Sequence, residues 1–397
     1  MMAETLTAPD MAIAETRLIP SLTVSERYDS NVFFGVVSPG VKPDDYVTNV
    51  SPQLTANHKG QLLSGTMTGG FSAEAYVRNP GLNYIGFNGG VQLSLDNMIK
   101  TILPKATLSI GDSARYTPQP PAFFTPSPTD QTQEAENSFV RGLQAARVNS
   151  VTNNGIVSGT YLLFPNTTLQ ASYAHAMIRF GSTNTSTTGG AALNTTMQTA
   201  TAGGLVQITR ADTLNITSQF VQSEIGSGGA SVVFQTEGAT IGWTRVLTPS
   251  LSTTAAAGAV VLTPGSSLHY VGNASLTWKL RTMDLKLTYS RTVFPSFLIN
   301  AAPLVSQVVT ASLSQVFSER LLTTVNLNYG HSEGATATSD SLSFDSYGAG
   351  LVTTYQLDRV WSVGGAYSFY HFANQFGAQS FQFDRHTLTL TVKAVWN

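Results

Sequence analysis

Cysteine is absent from the 397-residue chain, which removes disulfides, thiolate metal sites and a cysteine nucleophile. Charge is scarce. Charged residues make up 11 % of the chain, against ~25 % in typical soluble proteins. A net charge of −2 supplies no field for nucleic acid or anionic lipid. Long apolar runs are missing too. Nothing approaches the ~18 consecutive apolar residues of a membrane helix, and the longest candidate, 255–262, is short and rich in Ala and Gly. The first 18 residues show neither a basic start nor an apolar stretch of signal-peptide length. Export across an inner membrane needs such a signal, so for an exported chain the expectation is that it was removed or lies upstream of Met1.

Thr, Ser, Asn, Gln and Gly fill the place of charge. Intermediate polarity without long apolar runs suits strands that are apolar at every second position. The pattern bears this out locally. Leu388, Leu390, Val392, Ala394 and Trp396 share one parity, and Thr387, Thr389, Thr391 and Lys393 the other. Residues 270–280 and 321–329 alternate in the same way, as do 63–75, 85–95, 169–177 and 347–355.

Two kinds of connection separate these runs and take turns along the chain. Short ones fall at 58–61, 164–166, 209–212, 247–250, 281–284, 318–320 and 356–359. Long ones fall at 39–44, 116–148, 181–194, 294–304, 332–342 and 371–384. Short turns on one rim and long loops on the other are the habit of outer-membrane barrels. The count predicts an all-β, transmembrane, antiparallel up-and-down β-barrel of about 18 strands, with roughly 16–20 allowed by the weak patterning of 148–161 and 194–208. Both termini are expected on the short-turn rim.

Aromatic spacing argues against other repetitive β folds. Tyr270 and Trp278 stand eight apart, as do Tyr347 and Tyr355, and Trp361 and Phe369. Eight residues span ~26 Å along a strand, or ~20 Å when projected at a tilt near ~40°, close to the ~25 Å apolar band between aromatic girdles. Propeller and solenoid strands are too short for this, and a β-sandwich would not need so many long strands. These six residues and Trp396 are the expected girdle.

The opening "RLIPSLTVSERYDSNVFFG", with "DYVTNVSPQLTANHKG" and "GGFSAEAYVRNPGLN" after it, resembles a recurrent start among bacterial outer-membrane β-barrel proteins of the exopolysaccharide and PEP-CTERM/exosortase group, related to capsular-polysaccharide barrel porins. The matching positions are Pro20, Ser21, Tyr28, Asp29, Ser30, Asn31 and Val32, then Val50, Ser51 and Pro52, then Asn79, Pro80 and Leu82. The match spans residues 17–96, with a turn of the same type at 247–250. The resemblance implies a Gram-negative outer-membrane barrel tied to polysaccharide export, and no catalytic residues. Physically, Asp29, Ser30 and Asn31 are turn formers that bond their own backbone, which reads as closure of the first hairpin.

No enzyme is expected. The six histidines, at 58, 175, 269, 331, 371 and 386, show no metal-pair spacing, and no nucleophile-elbow, P-loop or calcium-loop motif occurs. A barrel protease would draw on Asp340, Asp345 and His331 at adjacent loop ends; a barrel lipase would need a Ser and a His on neighbouring strands. Nothing singles out either, and no metal or cofactor is expected.

The inward face holds few charges: Glu74 on the third strand, His269 and Lys279 on the twelfth, Lys286 on the thirteenth and Lys393 on the last. A neutral hydroxyl and amide lining favours uncharged hydrophilic solutes over ions, since ion-selective pores carry rings of one charge sign. The same residues also simply keep a lumen wet. The proline-rich stretch 118–128 cannot continue a strand, and 134–147 has a helical face; folded inward, it would aim Arg141 and Arg147 at the lumen. Domain organisation is read as a flexible segment 1–16 and one barrel, 17–397, with a long loop at 116–148. The expected partners are outer-membrane lipid, the barrel-assembly machinery, and polysaccharide or small hydrophilic solutes, with no nucleic acid. A porin-like channel leads. A structural or adhesion barrel with polymer-binding loops is the alternative, and a secreted Thr/Gly-rich solenoid is a third reading.

Overall fold

The structure is a computed structural model that describes residues 14–33, 42–117, 149–181, 194–227, 230–295, 303–335, 342–376 and 379–396. Its strands are β1 (Glu15–Asp29), β2 (Asp45–Lys59), β3 (Ser64–Tyr76), β4 (Tyr84–Ser94), β5 (Ala106–Thr117) and β6 (Ser150–Phe164). Next come β7 (Thr167–Phe180), β8 (Asn194–Gln207), β9 (Asp212–Ser227), β10 (Ala230–Thr248), β11 (Leu251–Thr263) and β12 (Ser267–Lys279). The last are β13 (Met283–Pro295), β14 (Pro303–Ser318), β15 (Leu321–Gly334), β16 (Leu342–Gln356), β17 (Trp361–Phe376) and β18 (Gln379–Val395). One short helix, α1 (Asp96–Lys100), lies between β4 and β5.

Every strand pairs antiparallel with its sequence neighbours, and β18 returns to pair with β1 from Ser21↔Val395 to Asp29↔Thr387. The 18-stranded sheet is therefore a closed up-and-down barrel. Closure gives every strand two partners, so no edge is left to aggregate. Among the described residues no helix is long and apolar enough to cross a membrane.

Register fixes which way each side chain points, because parity alternates along a strand. The outward set carries most of the exposed large apolar residues: Tyr270 is 72 % exposed, Ile241 60 % and Leu327 52 %. All seven expected girdle residues share that outward parity. Tyr347 packs with Phe369 at 6.0 Å between ring centroids, and Trp361 meets Trp396 edge-on at 6.4 Å.

The alternation inverts near the loop rim. There Ile178, Ile225, Leu262, Leu304, Phe344, Phe372 and Phe383 are buried. The outward neighbours are polar, as in the cross-strand pairs His331↔Asp345 and His371↔Asp384. This overturns the expected long loop at 371–384: those residues finish β17 and begin β18, and only 377–378 lie between. The expected loop at 116–148 also starts later, since Tyr116 and Thr117 complete β5; residues 118–148, with Arg141 and Arg147, lie outside the described residues. Segment 1–13 does as well.

The short–long rule has exceptions on both rims. On the loop rim, β11 and β12 join through Pro264–Ser266, where Gly265 takes φ +111. Glycine adopts that conformation without steric cost. On the turn rim, the β4–β5 connection is long enough to hold α1, and Asp96 Oδ1 accepts the Leu108 amide at 2.9 Å.

Asp358 organises the turn between β16 and β17. Its Oδ1 accepts the amides of Val360 at 2.7 Å and Trp361 at 2.8 Å. The Trp361 and Val360 hydrogen bonds hold its carboxyl below the ordinary carboxylate value. A lowered folded pKa contributes order above the unfolded value, and that order is lost as pH falls through the folded one. Amide exchange at Val360 and Trp361 is therefore expected to accelerate as the carboxyl titrates in acid, and Asp358→Asn to flatten that response.

Candidate functional site

All 18 strands contribute alternate side chains to the lumen wall. It is built from neutral polar side chains that bond across strand pairs. Asn49 Nδ2 donates to Ser72 at 2.5 Å and Thr66 to Asn57 at 2.9 Å between β2 and β3. Thr107–Thr160 and Ser109–Ser158, each at 2.7 Å, link β5 to β6, and Ser172–Thr201 at 2.6 Å links β7 to β8. Thr288–Thr310, Ser314–Thr324 and Ser368–Thr387 continue the pattern round the ring. A hydroxyl that donates to its neighbour keeps lone pairs for water or solute. The wall is thus wettable, and these hydroxyls and amides add no charge to it.

Full charge concentrates where the ends of the chain meet. Asp29 on β1 is 1 % exposed, and Arg385 on β18 grips it in a fork, Nε–Oδ1 at 2.9 Å and Nη2–Oδ2 at 2.5 Å. Asp29 Oδ1 also accepts the Asn31 amide at 3.1 Å, the self-bonding turn expected of the Asp29–Asn31 segment. Arg27 extends the network: its Nη2 donates to Glu74 Oε2 at 3.2 Å, and its Nε lies 3.8 Å from Asp29 Oδ2. Tyr76 completes it by donating its hydroxyl to Glu74 Oε2 at 2.6 Å. Two arginines face two carboxylates. The network is neutral, and it sits on the inward face near the loop rim.

The other expected lining residues are spread out. By register, His269, Lys279, Lys286 and Lys393 all point inward. His269 lies near the loop rim and bonds Ser267 at 3.0 Å. Lys279 stands opposite Asp284, Lys286 opposite Thr277 and Lys393 opposite Thr23, toward the turn rim. They form no ring of one sign. Glu74 is inward but 5 % exposed, so it belongs to the ion-pair network instead of standing free in the lumen. Sequence reasoning missed Arg27 and Arg385. A usable signal existed, because both share parity with the inward hydroxyls of their strands.

Of the residues weighed for a protease, His331 and Asp345 do meet, Nδ1–Oδ1 at 2.9 Å, with the Tyr329 hydroxyl 3.3 Å from the same carboxylate oxygen. They lie on the outward face of β15 and β16; Asp340 lies outside the described residues. Among the described residues no group of three metal-ligating side chains occurs.

No family model matches the chain. No curated protein matches it either. Among solved structures, the chain is similar to OccK3 (OpdO) of Pseudomonas aeruginosa at 12 % identity and a TM-score of 0.48, with 96 % of each chain covered. It is similar to OccK5 (OpdH) of the same organism at 9 % identity and 0.47, covering 96 % of this chain and 98 % of that one. It is also similar to the siderophore receptor PirA of Acinetobacter baumannii at 7 % identity and 0.48, covering 95 % of this chain and 80 % of that one.

Proposed function

We propose that the protein is an outer-membrane channel of porin type that passes uncharged hydrophilic solutes. The observation that carries this reading is the inward face: a closed ring of 18 strands lined by hydrogen-bonded hydroxyls and amides, with Arg27 and Arg385 paired to Asp29 and Glu74 at the seam. Barrels of ~16–18 strands enclose an aqueous passage unless something fills them. The outward face supports the membrane setting, with apolar side chains between aromatic positions and a polar fringe above them. Inward side chains are buried near the loop rim and more accessible below, which supports a passage that narrows in its loop-side half.

Liposome swelling tests the reading. Proteoliposomes should swell faster in small neutral sugars than in anions or cations of equal size. Converting Ser158 and Thr201 to Asp should slow anions several-fold and leave neutral sugars nearly unchanged, since fixed negative charge on the wall acts on ions and not on neutral solutes. Equal rates for all solutes before and after would remove the neutral wall from the explanation.

A role in exopolysaccharide export rests on the resemblance of residues 17–96. Deleting the gene should then reduce secreted polymer, and unchanged polymer would leave a general channel. No enzymatic step enters this function.

A further inference from the structure

The outward face is not uniformly apolar. From β5 to β10 one row of cross-strand partners reads Asp112, Gly155, His175, Gln198, Gln222, Gln235. The row climbs, from the seventh residue up β5 to the fourteenth up β10 counted from Thr248. It therefore crosses the upper part of the wall at an angle. Asp112 in it accepts Nδ2 of Asn153, two residues above the row on β6, at 2.8 Å, and Gln235 donates to Gln222 at 3.2 Å. Below Gln198, β8 turns only Ala200, Ala202, Gly204 and Val206 outward, and it presents no exposed large apolar side chain. Lipid chains offer such a surface no hydrogen bond.

Its charges and amides are arranged to meet a copy of themselves. Arg179 is the thirteenth residue up β7 and Glu224 the thirteenth up β9, and both are exposed. With strands ~4.8 Å apart, a rise of ~3.3 Å per residue and a tilt of ~40°, a vertical line up the wall near Met177 and His175 lies midway between three pairs. They are Tyr173 with Asp112, Asn153 with Gln198, and Arg179 with Glu224. The members of each pair stand at similar height, ~12 Å apart, on this spacing. A two-fold axis along that line puts each residue opposite its complement: phenol to carboxylate, amide to amide, guanidinium to carboxylate. Each contact occurs twice, as an isologous interface requires.

We infer that two copies of this chain associate in the membrane through the outer faces of β5–β9, about a two-fold axis passing beside Met177 and His175. The small residues of β8 let the walls approach closely, and the three complementary pairs fix the register. Lipid headgroups share the polar chemistry but not the reciprocal pairing.

The native chain lacks cysteine, so single cysteines report cleanly in intact outer membranes. Met177→Cys, beside the axis, should cross-link to dimer on mild oxidation, whereas Leu327→Cys on the opposite wall should not. Arg179→Glu and Glu224→Arg should each weaken dimerisation by roughly tenfold or more, since each breaks two ion pairs at once. The double exchange Arg179→Glu with Glu224→Arg should restore it. Equal cross-linking at 177 and 327 would overturn the proposal, as would a double exchange no better than its parents; the latter would assign the patch to lipid or another partner.

Discussion

Replacing Arg385 with alanine is expected to destabilise the barrel by about 3–5 kcal/mol, the range found when one partner of a buried ion pair is removed. The loss comes mainly from Asp29. At 1 % exposure that carboxylate would lose both bonds of the Arg385 fork and keep only the Asn31 amide and a 3.8 Å contact with Arg27. The pair also joins β18 to β1, where the ring closes and where no turn holds the strands together. Urea unfolding followed by gel mobility should show an earlier midpoint for Arg385→Ala. Adding Asp29→Asn should recover part of the loss, because the stranded charge is gone. A midpoint unchanged from the native one would mean that the ladder from Ser21 to Asp29 holds the seam alone.

Charging the outward face at mid-strand should cost nearly as much. Leu327, the seventh residue of β15, is 52 % exposed on the outward side. Leu327→Lys is expected to destabilise the barrel in lipid by ~2–4 kcal/mol, the penalty for Lys facing the bilayer midplane. Asn326→Lys, one residue away on the inward face, should be nearly silent. The contrast depends on lipid, so it should shrink when the two variants are compared in a solvating denaturant. Equal effects of the two substitutions would contradict the assignment of faces.

The strands were legible because their outward halves obey one rule over most of their length. In β18, Leu388, Leu390 and Val392 alternate with threonines, and in β12 Tyr270 and Trp278 mark a span of membrane width. That rule yields the parity of each strand, and the turn-about of short and long connections yields the even strand count. The parity rule fails near the loop rim. Above the apolar band the outer face meets water or headgroups and the inner face packs, so polarity exchanges sides within one strand. Phe372 and Phe383 turn inward while His371 and Asp384 turn outward, and a reader following the lower pattern sees a loop.

The lumen was legible in kind but not in pairing. Parity places Glu74, Lys279, Lys286 and Lys393 inward. Joining Arg385 to Asp29 requires knowing that the ends of the chain become neighbours, which local patterning does not contain. The outward row from Asp112 to Gln235 was hidden for a related reason. Its members sit one per strand, and only the register lines them up.

Planar-bilayer recording of the purified protein tests the central claim most directly. Stable single-channel conductance is expected, and in a salt gradient a reversal potential near zero, because no ring of one charge sign lines the wall. A membrane that stays silent, or a channel with strong preference for one ion sign, would contradict it.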